Sequence, residues 1–563
     1  MGDVPSAHNY RPAGGLKDPK VPIHWNRFYD YAETTELLRK LNKAFPKHSK
    51  LKSLGKSHGN REMWVMTITD FADENAHEKP GFWIDGGIHA NELQSVEVVV
   101  YTAWYLLEMR EHNPNINRML KERVFYLCPM MSPDSRDAHF REVNSTHTPR
   151  TGQRPVDDDR DGLVDEDGFD DLNDDGHVTH MRVRNPQGKW KPHSKYPELL
   201  VRVEAGEKGE YDMLGIEGFD NNGDGKVNED GDGSYDPNRN WPWGWQPEYV
   251  QRGAHRYPLS INENRMAADF IIAHPNIGGG QSYHNTGGMM IYGPATKSDK
   301  IEASDQRVFE HLTAHGERIM PGYREVRLAH DLYNGHGVEF DWLYQMRGIY
   351  AFTNELFTPF NFFREDREDA IYSNEETRRE FDKHLLFGDG IVPWTEVDHP
   401  QYGKIEVGGL KKNWVRQPPS FLLEEECHRN MAFTLFHADQ MALATVEAVS
   451  IKPLGDDLTE VTVKVVNERL LPTRSAIDVK RKISPPDLVS IHGDSIKRVV
   501  TGFISSDRFF QQPKEQKSQP DRLRIETVPG HSAVYARWLV IGKGPFTVRL
   551  RSFKGGRGEV EVQ

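Results

Sequence analysis

His89 and Glu92 stand three residues apart in the stretch IDGGIHANELQ, where a short apolar segment ends and a run with helical spacing begins. At a helix start, two residues at this spacing can point the same way, and the two glycines before them let the backbone turn tightly. An imidazole and a carboxylate aimed together are two thirds of a common catalytic zinc site, in which two His and one acid leave a position open for water. The bland alternative is a helix N-terminus whose glutamate favours the dipole. HxxE by itself does not decide between them.

A third ligand has to come from another strand end. His284 in GGGQSYHNTGG follows an apolar segment and sits among glycines. The other histidines offer less. His58 falls in a turn, His177 and His180 lie in an acidic stretch, and His274 precedes a proline. His336 is the remaining rival.

At this point the chain resembles the zinc metallocarboxypeptidases of the carboxypeptidase A/B type. IHANE is similar to their His-x-x-Glu, and QSYHN to the segment of the third ligand. SPDSRDAHF resembles an Asn-Pro-Asp-Gly segment, with Ser132 and Ser135 as departures. DPNRNW resembles an Asn-Arg-Asn-Trp signature. LYNGHGVEFDW resembles a mobile tyrosine loop, and AFTNEL the strand that carries a catalytic glutamate. Six motifs in the right order are far more specific than any one of them. The similarity extends over about residues 28–440, with a large insertion.

The resemblance implies a role for each matching residue. His89, Glu92 and His284 would hold zinc. Glu355 would act as general base, taking a proton from water and passing it to the leaving amine. Asn238 and Arg239 would hold the free C-terminal carboxylate of the substrate, a task that suits the planar guanidinium fork. Tyr333 would cover the bound substrate. Arg150 in THTPRTG would steady the developing oxyanion, with Arg182 and Arg184 as rivals. Phe340, just before Asp341, falls where the family carries its side-chain selector, which implies an apolar or aromatic C-terminal residue in the substrate. The implied reaction is hydrolysis of the C-terminal bond of peptides or proteins. A zinc amidohydrolase acting on N-acyl amino acids or peptidoglycan peptides is the alternative. A non-catalytic binding protein on the same scaffold is the third, and the joint presence of His89, Glu92, His284 and Glu355 argues against it.

A separate pattern occupies the acidic stretches. Asp157, Asp159 and Asp161 alternate before Gly162, with Asp165 beyond; Asp171, Asn173 and Asp175 precede Gly176; Asp220, Asn222 and Asp224 precede Gly225. Oxygen donors at positions one, three and five with glycine at six follow calcium-loop logic. The loops resemble thrombospondin or dockerin calcium loops, although Gly168, Arg182 and Gly231 stand where a full EF-hand has its bidentate glutamate. Calcium is therefore expected here, and with it a secreted or periplasmic setting in which a signal segment has been removed.

The elements that must position these residues can be read from periodicity. Residues 31–45 have helical apolar spacing; LKSLGKS, MWVMTITD, GFWIDGG and RVFYLCPM read as strands, and ELQSVEVVVYTAWYLLEM as a long helix. Strands alternating with helices predict an α/β/α catalytic domain with a mixed sheet. From about 140 to 236, Asp, Gly and Asn replace the periodicity, which marks an insertion. After residue 445, short alternating segments such as TEVTVKVVNE and FTVRLRSF predict an all-β sandwich. The expected division is an extension at 1–25, a catalytic domain at 26–444 and the sandwich at 445–563.

Bulk properties narrow the field. At 563 residues the chain exceeds one hydrophobic core. Its net charge of -14 is concentrated in residues 157–175, with eleven acids and one base, and 220–236, with six acids and one base. The remainder is close to neutral and has no basic stripe for nucleic acid. No apolar run is long enough to span a bilayer. Two cysteines, Cys128 and Cys427, exclude a disulfide scaffold; both fall in segments that read as buried. The partners that the resemblance implies are peptide or protein C-termini.

Overall fold

The computed structural model describes residues 14–16, 18–143, 150, 152–157, 160–231, 233, 235–365 and 375–563. Along the chain, β1 (Ser49–Lys56), β2 (Glu62–Ile68), β3 (Gly81–Gly86) and β4 (Val124–Cys128) come first. An excursion follows with β5 (His180–Arg184), β6 (Trp190–Pro192), β7 (Leu200–Arg202) and β8 (Tyr211–Ile216). Next are β9 (Ile277–Asn285), β10 (Met289–Tyr292), β11 (Arg324–Arg327) and β12 (Tyr350–Leu356), then β13 (Ile391–His399) and β14 (Gly403–Leu410).

Eight of these strands form one mixed sheet in the order β1-β2-β4-β3-β9-β12-β10-β11. Its centre, β4-β3-β9-β12, is parallel. Every residue of β3, β4 and β9 is buried, as expected for parallel strands covered on both faces. Two separate cores cover the sheet. One includes the helices Tyr31–Ala44, Gln94–Met109 and Ser420–Gln440; the other includes Trp241, Trp342 and the helix Asn262–Ala273. The parallel centre matters for function, because strands that run the same way deliver their C-terminal ends to one edge of the sheet.

The acidic excursion is more ordered than its composition predicts. β5 to β8 join β13 and β14 in a six-stranded antiparallel sheet, order β13-β14-β5-β8-β6-β7. The pairing of β5 with β14 joins residues more than two hundred positions apart, Arg182 opposite Glu406. A reading of local periodicity cannot find such a partner.

Beyond Ala444, all strand pairs are antiparallel and fall into a five-stranded and a four-stranded sheet around their own core, which includes Val461, Val463 and Trp538. This sandwich is fastened to the first region through the helix Glu339–Arg347. A helix leaves its last carbonyls unsatisfied, and here residues of the sandwich region satisfy them. Lys554 Nζ donates to Arg347 O (2.6 Å) and Gly348 O (3.1 Å), Ser475 Oγ to Gly348 O (3.0 Å), and Arg481 Nη1 to Gln345 O (2.7 Å). In return the buried Asp305 receives the amides of Ala476 and Ile477 at the start of the helix Ala476–Arg481. Both cysteines are buried and free. Among the described residues, no helix is long and apolar enough to cross a membrane.

Candidate metal centre

The loop after β3 turns hard against the helix it feeds. A Cβ at Gly86 would stand 2.4 Å from the Ser95 carbonyl oxygen, so only glycine fits there. Gly87, with φ +65°, donates its amide to Ser95 Oγ at 2.9 Å. This turn delivers His89 and Glu92, and the end of β9 delivers His284. All three are buried. His89 Nδ1 lies 3.1 Å from Glu92 Oε1 and 3.2 Å from His284 Nδ1, and His284 Nδ1 lies 2.9 Å from Glu92 Oε2.

Two imidazole nitrogens and a carboxylate sharing one buried point fit a zinc ion. Tetrahedral donors held roughly 2.1 Å from zinc lie about 3.3 Å apart, close to the spacing observed. Among the described residues, this is the group of His, Cys, Asp and Glu side chains close enough together to hold a metal ion. None of the other histidines considered from the sequence joins it. Burial would raise the Glu92 carboxyl, but the flanking His89 and His284 overcome it and hold Glu92 well below the usual range.

Asp236 completes the setting and was not singled out from the sequence, although it opens the motif DPNRNW. Its Oδ1 lies 3.0 Å from His89 Nε2 and accepts the Asn238 amide at 2.7 Å. A carboxylate on the far nitrogen fixes the tautomer, so that Nδ1 presents its lone pair to the site. Against the effect of burial, His89, Arg239 and Arg150 depress the Asp236 carboxyl.

Glu355 lies on β12 directly opposite His284 on β9. Its Oε2 is buried without a hydrogen-bond partner. Burial and the neighbouring Glu92 push its carboxyl up to about 7, partly offset by His284, Arg150 and Arg416. Arg150 reaches the same centre, with Nη1 2.8 Å from Glu92 Oε1. Glu92 and Asp236 raise its guanidinium further against the effect of burial. The rivals Arg182 and Arg184 instead pair with Glu406 on the second sheet.

Asn238 is buried, and its Oδ1 caps the Glu339 amide at 3.0 Å, tying the DPNRNW loop to the helix Glu339–Arg347. Arg239 is half-buried. Its Nη1 donates to Asn238 O at 2.7 Å, and its guanidinium carbon lies 5.9 Å from the ring centre of Tyr333. Tyr333 is 54% exposed, and its hydroxyl lies 3.5 Å from Arg239 Nη2. Phe340 is buried among apolar residues that include Leu328 and Ile291. Arg416 is a further residue that sequence reasoning missed. Its Nη1 donates to Asn285 O at 3.0 Å and lies 3.9 Å from Glu92 Oε1. It follows the strand pair β13–β14, in a stretch without a recognisable motif.

The acidic loops do not gather in the same way. Asp159 lies outside the described residues. Asp157, Asp171 and Asp220 each spend one oxygen on the amide of their own loop glycine: Gly162 at 3.2 Å, Gly176 at 2.7 Å and Gly225 at 3.0 Å. Asp161, Asp175 and Asp224 accept amides two residues on, as do Asn173 and Asn222. Asp165 Oδ1 takes the Val156 amide. These carboxylates close their own turns; Asp224 also meets Glu229, which contacts Asp167 in turn, but among the described residues no three donor atoms of these loops gather closely enough to hold an ion. The spacing that suggested calcium is also the spacing of consecutive Asx turns.

Comparison with known proteins identifies the family. A family model described as zinc carboxypeptidase matches residues 34–201 and 220–379, and one described as a domain of unknown function matches residues 444–563. Rat carboxypeptidase D is 26% identical over 135 residues, which is 24% of this chain and 10% of that protein. Human carboxypeptidase Z is 29% identical over 125 residues, 22% of this chain and 19% of that protein. The matches therefore span between a tenth and a fifth of these relatives. Among solved structures, carboxypeptidase A from Helicoverpa armigera aligns with a TM-score of 0.46 and 13% identity, over 74% of this chain and 75% of that one. The first of these matches takes in more than half of the chain, including the turn that bears His89 and Glu92 and the strands that bear His284 and Glu355; the chain belongs to the zinc carboxypeptidase family.

Proposed function

We propose that this protein is a metallocarboxypeptidase that removes C-terminal residues from peptides or proteins. The observation that carries the reading is the position of Glu355 beside His284 on adjacent parallel strands, next to the buried His89–Glu92–His284 group. His89, Glu92 and His284 would hold zinc. Zinc in an open site supplies Lewis-acid chemistry, polarising a carbonyl and acidifying water.

The chain's own residues account for the rest. Glu355 takes the proton of the attacking water and delivers it to the leaving amine. Its raised carboxyl suits that exchange, because a base works best with a pKa near the working pH. Arg150 offers fixed donors to the negative charge that develops on the carbonyl oxygen. Arg239 and Asn238 receive the terminal carboxylate; Asn238 Oδ1 is occupied by the Glu339 amide, so its side-chain NH2 is the group turned to substrate. Tyr333 closes over the bound end. Phe340 and its apolar neighbours favour an apolar or aromatic final residue.

Mass spectrometry of a mixed peptide library, with and without a chelator, tests the reading. Single residues should leave from the C-terminus, apolar ones first, and chelation should stop their release. Release from the N-terminus, a preference for C-terminal Lys or Arg, or insensitivity to chelation would each contradict it.

A further inference from the structure

The three metal-ligand residues arrive on two separate pieces of chain, and a third piece ties those together. The peptide after the short helix Lys412–Val415 enters the site as Arg416–Gln417. Gln417 is buried. Its Nε2 donates to Asn91 O at 2.5 Å, and its Oε1 accepts the Gln94 amide at 3.2 Å. Asn91 belongs to the loop that carries His89 and Glu92, and Gln94 opens the helix that follows it. Arg416 does the same for the His284 segment: its Nη1 donates to Asn285 O at 3.0 Å, and its own carbonyl accepts Asn285 Nδ2 at 3.3 Å. Asn285 Nδ2 also reaches Gln94 Oε1 at 3.1 Å, which closes the ring.

We propose that Arg416–Gln417 is the positioning strap of the metal centre, setting the spacing between His89, Glu92 and His284. The inference rests on the zinc reading above and goes beyond it, since neither residue is a ligand. The side-chain amide of Gln417 matches one backbone acceptor and one backbone donor on the first piece of chain. A carboxylate or an apolar group of the same length cannot make both bonds. The Arg416 guanidinium adds charge, 3.9 Å from Glu92 Oε1, that favours the ionised ligand. The strap also connects the site to the second sheet, because it lies between β14 and the helix Ser420–Gln440. Removing groups that orient metal ligands lowers metal affinity by roughly ten- to a hundredfold.

The test measures zinc affinity of the full chain by chelator competition, and melting of the metal-free protein. Gln417→Leu and Arg416→Leu should each weaken zinc binding at least tenfold, whereas Arg416→Lys, which keeps one donor for Asn285 O, should recover most of the loss. Val463→Ala, in the core of the sandwich, supplies a comparable lowering of Tm without touching the strap and should leave zinc affinity unchanged. Hydrogen exchange of the metal-free protein gives a second readout. In Gln417→Leu the Gln94 amide should exchange at least tenfold faster, while amides of β12 keep their wild-type rates. Zinc affinity within about twofold of wild type in both leucine variants, or an equal loss in Val463→Ala, would overturn the strap. A wild-type chain that binds no zinc would overturn the zinc reading instead, and the exchange of the Gln94 amide would still decide whether the strap holds the loop.

Discussion

Replacing Asp236 with asparagine should weaken zinc binding without touching a ligand. Asp236 Oδ1 receives both His89 Nε2–H (3.0 Å) and the Asn238 amide (2.7 Å), while Oδ2 faces Arg150 Nη2 at 4.0 Å. An asparagine can keep only one of these faces. With its oxygen toward His89, its NH2 turns to the Arg150 side and meets a cation; flipped, its NH2 meets two donors. Either the bond from His89 is lost, or it becomes a neutral one while the 4.0 Å attraction to Arg150 turns to repulsion; the difference is about 1.5–3 kcal/mol. At about 1.4 kcal/mol per factor of ten, the zinc dissociation constant should rise by about ten- to a hundredfold. Chelator competition measures the constant, and far-UV circular dichroism checks that the fold is retained. Unchanged affinity in a folded variant would refute the claim that the Asp236 carboxylate charge supports the His89 ligand.

Other outcomes follow from the same geometry. Glu355→Gln should keep its zinc and lose about a hundred- to ten-thousandfold in kcat; full activity would remove Glu355 from the mechanism. Arg239→Lys keeps the charge but loses the fork, so KM for free C-terminal substrates should rise about tenfold or more with kcat little changed, as steady-state kinetics would show. The pH dependence has a definite sign. Glu355 sits at about 7 in the metal-free protein, above its unfolded value, so it stays protonated in the fold where the unfolded chain has ionised. The contribution of Glu355 to metal-free stability should therefore fall as pH rises between about 4.5 and 7, and Glu355→Gln should remove that one contribution, making the pH slope in denaturant titrations shallower by up to one proton, while Asp85, Asp341 and Asp487, also raised by burial, keep theirs. Glu92 and Asp236 are depressed instead. Their contribution is present above their unfolded values and lost as pH falls below them. The acid limb of kcat/KM should lie at or below about 7, because a bound cation favours the ionised base.

The sequence makes some of this design visible and hides other parts for physical reasons. Glu355 in AFTNEL was found through its resemblance to a known strand, whereas His89, Glu92 and His284 could be found because an apolar run stops there and a polar residue near glycines stands out. The parallel strands were readable for the same reason: β3, β4 and β9 are continuous buried runs. Asp236 was within a recognised motif and still escaped notice, since only the fold shows that its carboxylate meets His89. Arg416 and Gln417 lack even that signal. Their function depends on contacts across more than a hundred residues, and nothing in WVRQPP indicates them. The second sheet was hidden in a similar way, with β5 and β14 far apart in the chain. The Asp/Gly loops carry a spacing that is compatible with both a cation and a chain of turns.

The helix Glu339–Arg347 begins at Asn238 and ends on Lys554, Ser475 and Arg481. One short helix thus has its first amide held by Asn238 in the DPNRNW loop and its last carbonyls held by the sandwich. Heating should not release the two regions separately: calorimetry should give a single transition. A chain cut near residue 444 should not yield a trimmed enzyme, since the helix that supports Phe340 would lose its far anchor. The C-terminal region is therefore the other abutment of this helix, as much part of the bridge as the span that carries the load.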